Sequence, residues 1–178
     1  MATIISRRQV LPDNWQLLKR AADGSIEIPS DGDVIVPLST WLEQRDALVK
    51  RTGQLGVWLE GSDDPALLVA DLEHFDLIAV HFQQFTDGRG YSIARLLRAR
   101  YGWQRELRAV GDVLRDQLFY LSSCGFNTFA LRADQDVQAA MTAFEDFSEA
   151  YQGSVERPQP LFRRRSLIQH EDTQEAAI

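Results

Sequence analysis

Phe82 to Phe129 reads FQQFTDGRGYSIARLLRARYGWQRELRAVGDVLRDQLFYLSSCGFNTF, and the rhythm of this stretch decides the fold. An apolar strand end runs into Thr86-Asp87-Gly88-Arg89-Gly90. A helix follows over Tyr91 to Tyr101, with Ile93, Leu96, Leu97 and Tyr101 at apolar spacing, Arg95, Arg98 and Arg100 between them, and Gly102 as its stop. Leu107 to Val110 is the next strand, and Val110-Gly111-Asp112 is a second turn built from a glycine and an acid. Asp112 then caps a helix carrying Leu114, Gln117, Leu118 and Leu121, which ends at Gly125 before a strand over Asn127 to Leu131. Strand, turn and helix, repeated in that order, imply parallel strands joined by crossover helices.

The same rhythm extends upstream. Val34 to Leu38 is a short strand, Ser39 or Thr40 caps a helix from Trp41 to about Arg51, and Leu55 to Leu59 is the following strand. Asp63 or Asp64 precedes Pro65 at a helix start, the place proline favours, and that helix runs to about His74. Leu77 to Val80 is the apolar centre of the strand leading into the quoted stretch. Before residue 33 the pattern is irregular: Thr3 to Ser6 and Ser25 to Ile28 read as a short antiparallel ribbon, with Trp15 anchoring it to the body. Downstream, Asp134 or Asp136 starts a last long helix through Val137, Ala140, Met141, Phe144 and Phe147. Residues 154–178 read as a flexible tail, with Arg163-Arg164-Arg165 inside it.

These elements make one α/β domain over residues 1–153. Its five-stranded, mainly parallel sheet alternates with helices, and the ribbon of residues 1–33 packs beside it. A closed eight-unit barrel needs about 250 residues, so the choice is an open three-layer sheet or a partial barrel. The open, doubly wound sheet is the preferred expectation.

Composition narrows the function. The formal net charge of −7 argues against nucleic acid, whose phosphates are bound by basic surfaces. No apolar run approaches the ~18 residues of a membrane span, and the first residues lack a signal-peptide core, so a cytoplasmic protein is expected. The single cysteine, Cys124, excludes an internal disulfide, and the chain by itself cannot supply the roughly four thiolates of an iron–sulfur centre. Three separated histidines give no metal site. No nicotinamide or flavin fingerprint is present, and the cofactor stays unknown. The tryptophans at 41, 58 and 103 leave room for a homodimer.

In parallel α/β folds, ligands bind at the carboxyl ends of strands, where loops and helix N-termini converge. That rule selects Ser39, Glu60, the segment Gln83 to Gly90, Gly111 with Asp112, and Arg132. In the first turn, Gly88 and Gly90 allow positive φ and close approach. Arg89, the helix N–H groups and the Ser92 hydroxyl can then hold a small oxyanion beside Asp87. The competing reading is a tight turn in which Asp87 caps and Arg89 pairs with a carboxylate. In the second turn, Asp112 is a helix cap or a general base, while Arg115 and Asp116 contact ligand or form a surface pair. Arg98 and Arg108 read as ion-pair partners of Glu106. His81, inside an apolar strand, reads as a core histidine before a catalytic one, and Cys124 as an inert thiol.

Three blocks carry a resemblance: Gln84-Phe85-Thr86-Asp87-Gly88-Arg89-Gly90, then Arg108 to Gln117, then Cys124-Gly125-Phe126. Together they resemble the signature of a bacterial family of unknown function, number nine hundred and thirty-four. Its members carry the label of oxidoreductases of sulfite reduction and tend to be encoded beside the assimilatory sulfite or nitrite reductase. Arg105, where a glycine is expected, and Asn127, where an acid is expected, depart from that signature. The resemblance implies an accessory protein or small enzyme of assimilatory sulfite reduction that binds a small anion. The alternative is a non-catalytic protein that docks on the sulfite or nitrite reductase through the Arg163 to Arg165 segment.

Overall fold

The computed structural model describes residues 2–146, 153–155 and 158–163. Eight strands form one sheet: β1 (Thr3–Ser6), β2 (Gln9–Pro12), β3 (Gln16–Leu17), β4 (Val34–Pro37), β5 (Leu55–Glu60), β6 (Leu77–Phe82), β7 (Glu106–Gly111) and β8 (Thr128–Phe129). Their order is β2-β1-β8-β7-β6-β5-β4-β3, parallel from β3 to β8, with β1 antiparallel to both neighbours. Helices α1 (Leu38–Leu48), α2 (Arg89–Ala99), α3 (Leu118–Cys124) and α4 (Val137–Ala140), with a 3₁₀ helix over Pro65–His74, fill the connections.

The strand order corrects the preferred expectation. β3 to β8 lie side by side in chain order, so every crossover steps the same way. Right-handed connections then place the helices on one face only. A doubly wound sheet must reverse its order at a switch point, and this one never does. The result is the other alternative, a partial barrel: a curled, open half-barrel of eight strands rather than five.

Strand alternation sorts the side chains. Val34, Val36, Val57, Leu59, Ile78, Val80, Phe82, Leu107, Ala109 and Phe129 face the helices and pack on Trp41, Leu68, Leu97, Leu118 and Leu121. Ile35, Trp58, Leu77, Ala79 and Val110 point to the concave face, where Trp15, Leu17 and Ala130 pack on them. At about 25 cal/mol per Å² of apolar surface removed from water, both layers contribute to stability, and the helical layer is much the larger. All three tryptophans expected at a dimer surface, Trp41, Trp58 and Trp103, are buried within the protomer. Trp41 and Trp103 pack in the helical layer and Trp58 in the concave one.

The N-terminal ribbon is paired differently from the expectation. β1 pairs with β2 through a two-residue turn at Arg7 and Arg8, whose φ angles are 47° and 62°. Ser25 to Ile28 forms no strand. Neither arginine advertises a left-handed turn as glycine or asparagine would, which is why the hairpin was not legible. Trp15 does anchor the segment: the Arg108 guanidinium lies over its ring at 6.0 Å. The predicted last helix is shorter than expected. Asp136 caps it by accepting from the backbone N–H groups of Gln138 and Ala139, and after Ala140 it tightens to a 3₁₀ turn, Met141–Glu145. Phe147, Arg164, Arg165 and most of the expected tail lie outside the described residues.

Arg108 sits on the concave face and is only 1% exposed. Its Nη1 donates to Asp13 Oδ1 at 3.0 Å, and its Nε and Nη2 reach Glu106 Oε1 at 2.9 and 2.8 Å. The pairing of Arg108 with Glu106 holds as expected. Arg98 instead donates to the carbonyls of Trp103, Arg105 and Gly125, and burial lowers its pKa to about 10. Arg108→Ala leaves two carboxylates and the Trp15 ring without their partner. Urea unfolding is expected to lose about 3 kcal/mol, the lower end of the cost of breaking a buried ion pair. A loss below about 1 kcal/mol, the range of surface pairs, would show that the cation does not hold the segment.

Candidate functional site

The Asp87 to Gly90 turn is closed on itself. Asp87 Oδ1 accepts from the Arg89 backbone N–H at 3.1 Å and from Arg89 Nε at 2.9 Å, and Oδ2 accepts from Nη2 at 2.8 Å. These bonds hold the Asp87 carboxyl at a pKa of about 2. Arg89 is therefore engaged with its own turn, as in the competing reading. Neither glycine has the positive φ expected of it; Gly88 has φ −78°. Gly90 is required for another reason: a Cβ there would come within 2.7 Å of Phe82 Cζ and 3.0 Å of Val80 Cγ1, so its absence lets α2 lie against β6. Ser92 is exposed on α2.

The second turn does demand its glycine. Gly111 has φ 96°, and a Cβ on it would stand 2.4 Å from the Phe82 carbonyl oxygen and 3.1 Å from Cδ2 and Nε2 of His81. Asp112 does not cap the following helix. Its Oδ2 accepts from the Phe85 N–H at 3.0 Å, its Oδ1 accepts from Arg132 at 2.7 Å, and Gln117 supplies the acceptor for Leu114 N–H at the helix start. Gln117 also donates to the Phe85 carbonyl and the Tyr91 hydroxyl. Both backbone groups of Phe85 are thus held by residues of the second turn and its helix, which joins the two turns. Arg115 is drawn away to Thr142 and Asp146, and Asp116 is exposed.

Among the described residues, open space at this edge lies beside those turns. A cleft of about 460 Å³ opens at the carboxyl ends of β4, β5 and β6, lined by Lys19, Arg20, Pro37, Leu38, Ser39, Trp58, Glu60, Asp63 and His81. Ser39 and Glu60 belong to the strand-end residues selected from the sequence. Register brings Glu60 directly opposite His81, on the concave face. The Trp58 and His81 rings meet at 5.4 Å, tilted by 50°, and Trp58 Nε1 donates to the Leu18 carbonyl at 2.9 Å. That bond ties the N-terminal segment over the cleft and sets Lys19 and Arg20 on its rim. Arg20 donates through Nη1 to the Gly24 carbonyl and through Nη2 to Glu43, while its buried Nε has no hydrogen-bond partner; Asp63 accepts from the Glu60 N–H.

His81 is the chemically distinctive group. Its Nδ1 is buried and has no hydrogen-bond partner, a state that costs about 1–3 kcal/mol for a buried polar group. Burial first, and then the charge of Lys19, hold its pKa below the ordinary value, while Glu60 works in the opposite direction. The two signature turns form the wall behind this cleft. Gly111 gives the His81 ring its room, and Gly61, directly after Glu60, would bring a Cβ within 2.9 Å of Asp87 Oδ2 and 3.0 Å of Arg89 Nε. Cys124 lies elsewhere, half-buried, with its thiol pKa raised by burial. Among the described residues no group of three or more His, Cys, Asp or Glu is arranged to hold a metal ion, and no helix is long and apolar enough to cross a membrane.

Fold and cleft together define a half-barrel α/β protein with an open polar cleft at the strand carboxyl ends. The chain belongs to the bacterial family described as "Bacterial protein of unknown function (DUF934)", whose model matches residues 56–162. The matched span contains all three signature blocks together with Trp58, Glu60 and His81. No curated protein and no solved structure matches the chain.

Gly111→Ala is expected to destabilise the fold by more than the roughly 1–3 kcal/mol of a strained backbone conformation, because the Phe82 carbonyl cannot move aside. Gly24→Ala, also at positive φ but with nothing within 4 Å, is the control, with a loss of about 1 kcal/mol. Equal losses would mean that the close approach at Gly111 carries no cost. The lowered pKa of His81 has a definite sign: the unfolded chain takes up this proton first, so stability is intact above about pH 6.5 and declines as pH falls below it. Urea midpoints between about pH 7.5 and 5 should fall less steeply in His81→Asn than in the wild type. Parallel declines would assign the loss to other groups.

Proposed function

We propose that the protein binds a small anionic molecule in the cleft between Lys19 and His81, as an accessory protein or small enzyme of assimilatory sulfite reduction. The observation that carries the binding reading is the cleft itself: Lys19, Arg20, the Ser39 hydroxyl and the His81 ring line open space at the carboxyl ends of a parallel sheet, beside Glu60 and Asp63. The reading moves the anion away from Arg89, whose guanidinium Asp87 already occupies. Its link to sulfite reduction rests on the family resemblance of the three blocks.

A second reading, docking on the sulfite or nitrite reductase, is favoured by a different observation. Phe85 and Tyr120 are 52% and 58% exposed, and the Tyr120 ring meets Tyr91 at 5.0 Å, tilted by 57°. Large exposed aromatic rings are typical anchors of protein contacts.

Sulfite titrated into the purified protein is expected to bind saturably, and Lys19→Met to weaken it by about tenfold, the scale of one charge-assisted contact. Binding that is absent in the wild type, or unchanged in Lys19→Met, contradicts the cleft reading. A strain lacking the gene is expected to grow poorly on sulfate and normally on a reduced sulfur source; equal growth on both removes the pathway reading.

A further inference from the structure

Resting on the cleft reading above, we infer that the anion held there is one end of a small organic zwitterion: an oxyanion head toward Lys19 and Ser39, an ammonium toward Glu60 and Asp63, and a short apolar body between them. Two observations lead there. The first is the size and lining of the space. The cleft encloses about 460 Å³ and sets Pro37, Leu38 and Trp58 among its polar residues. A bare oxyanion displaces only a few waters, at about 30 Å³ each, and leaves that apolar surface wet. An organic body covers it, and removing apolar surface from water is favourable.

The second observation is that the cleft presents both signs of charge unpaired. Lys19 is exposed and Glu60 half-buried, and among the described residues neither the ammonium of the one nor the carboxylate of the other has a hydrogen-bond or ion-pair partner. Both stand close enough to the His81 ring to act on it: after burial, which weighs most, Lys19 lowers and Glu60 raises its pKa. The neighbouring cations are already matched. Arg20 donates to the Gly24 carbonyl and to Glu43, which offsets its charge, and its unpartnered Nε is buried beyond a ligand's reach. Arg89, which also feels Glu60, is closed on Asp87. Asp63 accepts the Glu60 N–H through Oδ2, so a second carboxylate stands on the Glu60 side. A simple anion at Lys19 therefore lies near two negative groups without a cation of their own among the described residues. An ammonium on the same molecule turns that repulsion into attraction, and its hydrogen bonds to Glu60 are of the strong, charge-assisted kind. No bond is made or broken, so binding needs no co-reactant.

Aminosulfonates isolate the ammonium, since taurine and its three-carbon homologue differ from ethanesulfonate and propanesulfonate by that group alone. Calorimetric titrations of the full chain at about pH 7, where ammonium and carboxylates are both charged, are expected to give the better-fitting aminosulfonate about tenfold tighter than its counterpart, the scale of one hydrogen bond to a charged group. In Glu60→Gln that preference disappears, while Lys19→Met weakens both members of the pair together. Near-UV circular dichroism confirms that each variant keeps its fold, and Glu60→Ser replaces Glu60→Gln if the latter does not. Equal binding within both pairs, or an unchanged preference in the Glu60 variants, overturns the inference, and sulfite that still binds saturably leaves the cleft reading standing. Binding of neither sulfite nor any sulfonate by the wild type overturns both.

Discussion

The buried guanidinium of Arg108 is the constraint on which the rest of the molecule depends. A half-barrel with helices on one face leaves its other face open, and here that face carries Ile35, Trp58, Leu77, Ala79 and Val110. An ionised side chain among them is stable only with full partners. Glu106, two residues before Arg108 on the same face of β7, supplies one; Asp13 supplies the other from 95 residues away in the chain. The ion triad therefore drags the N-terminal segment across the concave face, with Trp15 under the guanidinium, Leu18 bonded to Trp58, and Lys19 and Arg20 delivered to the mouth of the cleft. Structure and site share this one electrostatic requirement.

The signature turns acquire a similar logic once the packing is considered. Each contains a glycine whose missing Cβ makes room for something else: Gly90 for Phe82, Gly111 for the Phe82 carbonyl and the His81 ring. Asp87 and Arg89 neutralise each other, and Asp112 binds two loops into one rigid edge. The turns are held in place by their own bonds before any partner arrives.

Much of this was legible in the sequence because period-2 and period-3.6 patterns are local. The strands from Val34 to Phe129, the strand-end rule and the helix start at Asp64-Pro65 all follow from neighbours within a few residues. The family membership was legible too, in three blocks that the matched span contains. The hairpin at Arg7 and Arg8 and the two-residue β3 were not, because neither has turn chemistry nor length. The choice between open sheet and half-barrel depends on strand order, which no local pattern encodes. His81 read as a core residue because its strand is apolar; only its register with Glu60 reveals that it faces the cleft. Arg105 and Asn127, departures from the expected signature, have clear local uses. Arg105 donates to the Phe75 carbonyl, and the Asn127 side-chain oxygen accepts from the Leu107 N–H at 2.8 Å.

The central claim is that the working surface is the cleft at His81, with the signature turns behind it. The most direct test is a side-chain NMR titration of histidine-labelled protein with sulfite, using His74, at the far end of the 3₁₀ helix, as internal reference. The account predicts that the His81 ring resonances move saturably while those of His74 stay fixed. A fixed His81, with the backbone amides of Asp87 to Gly90 shifting instead, would return the site to the turn and contradict the account.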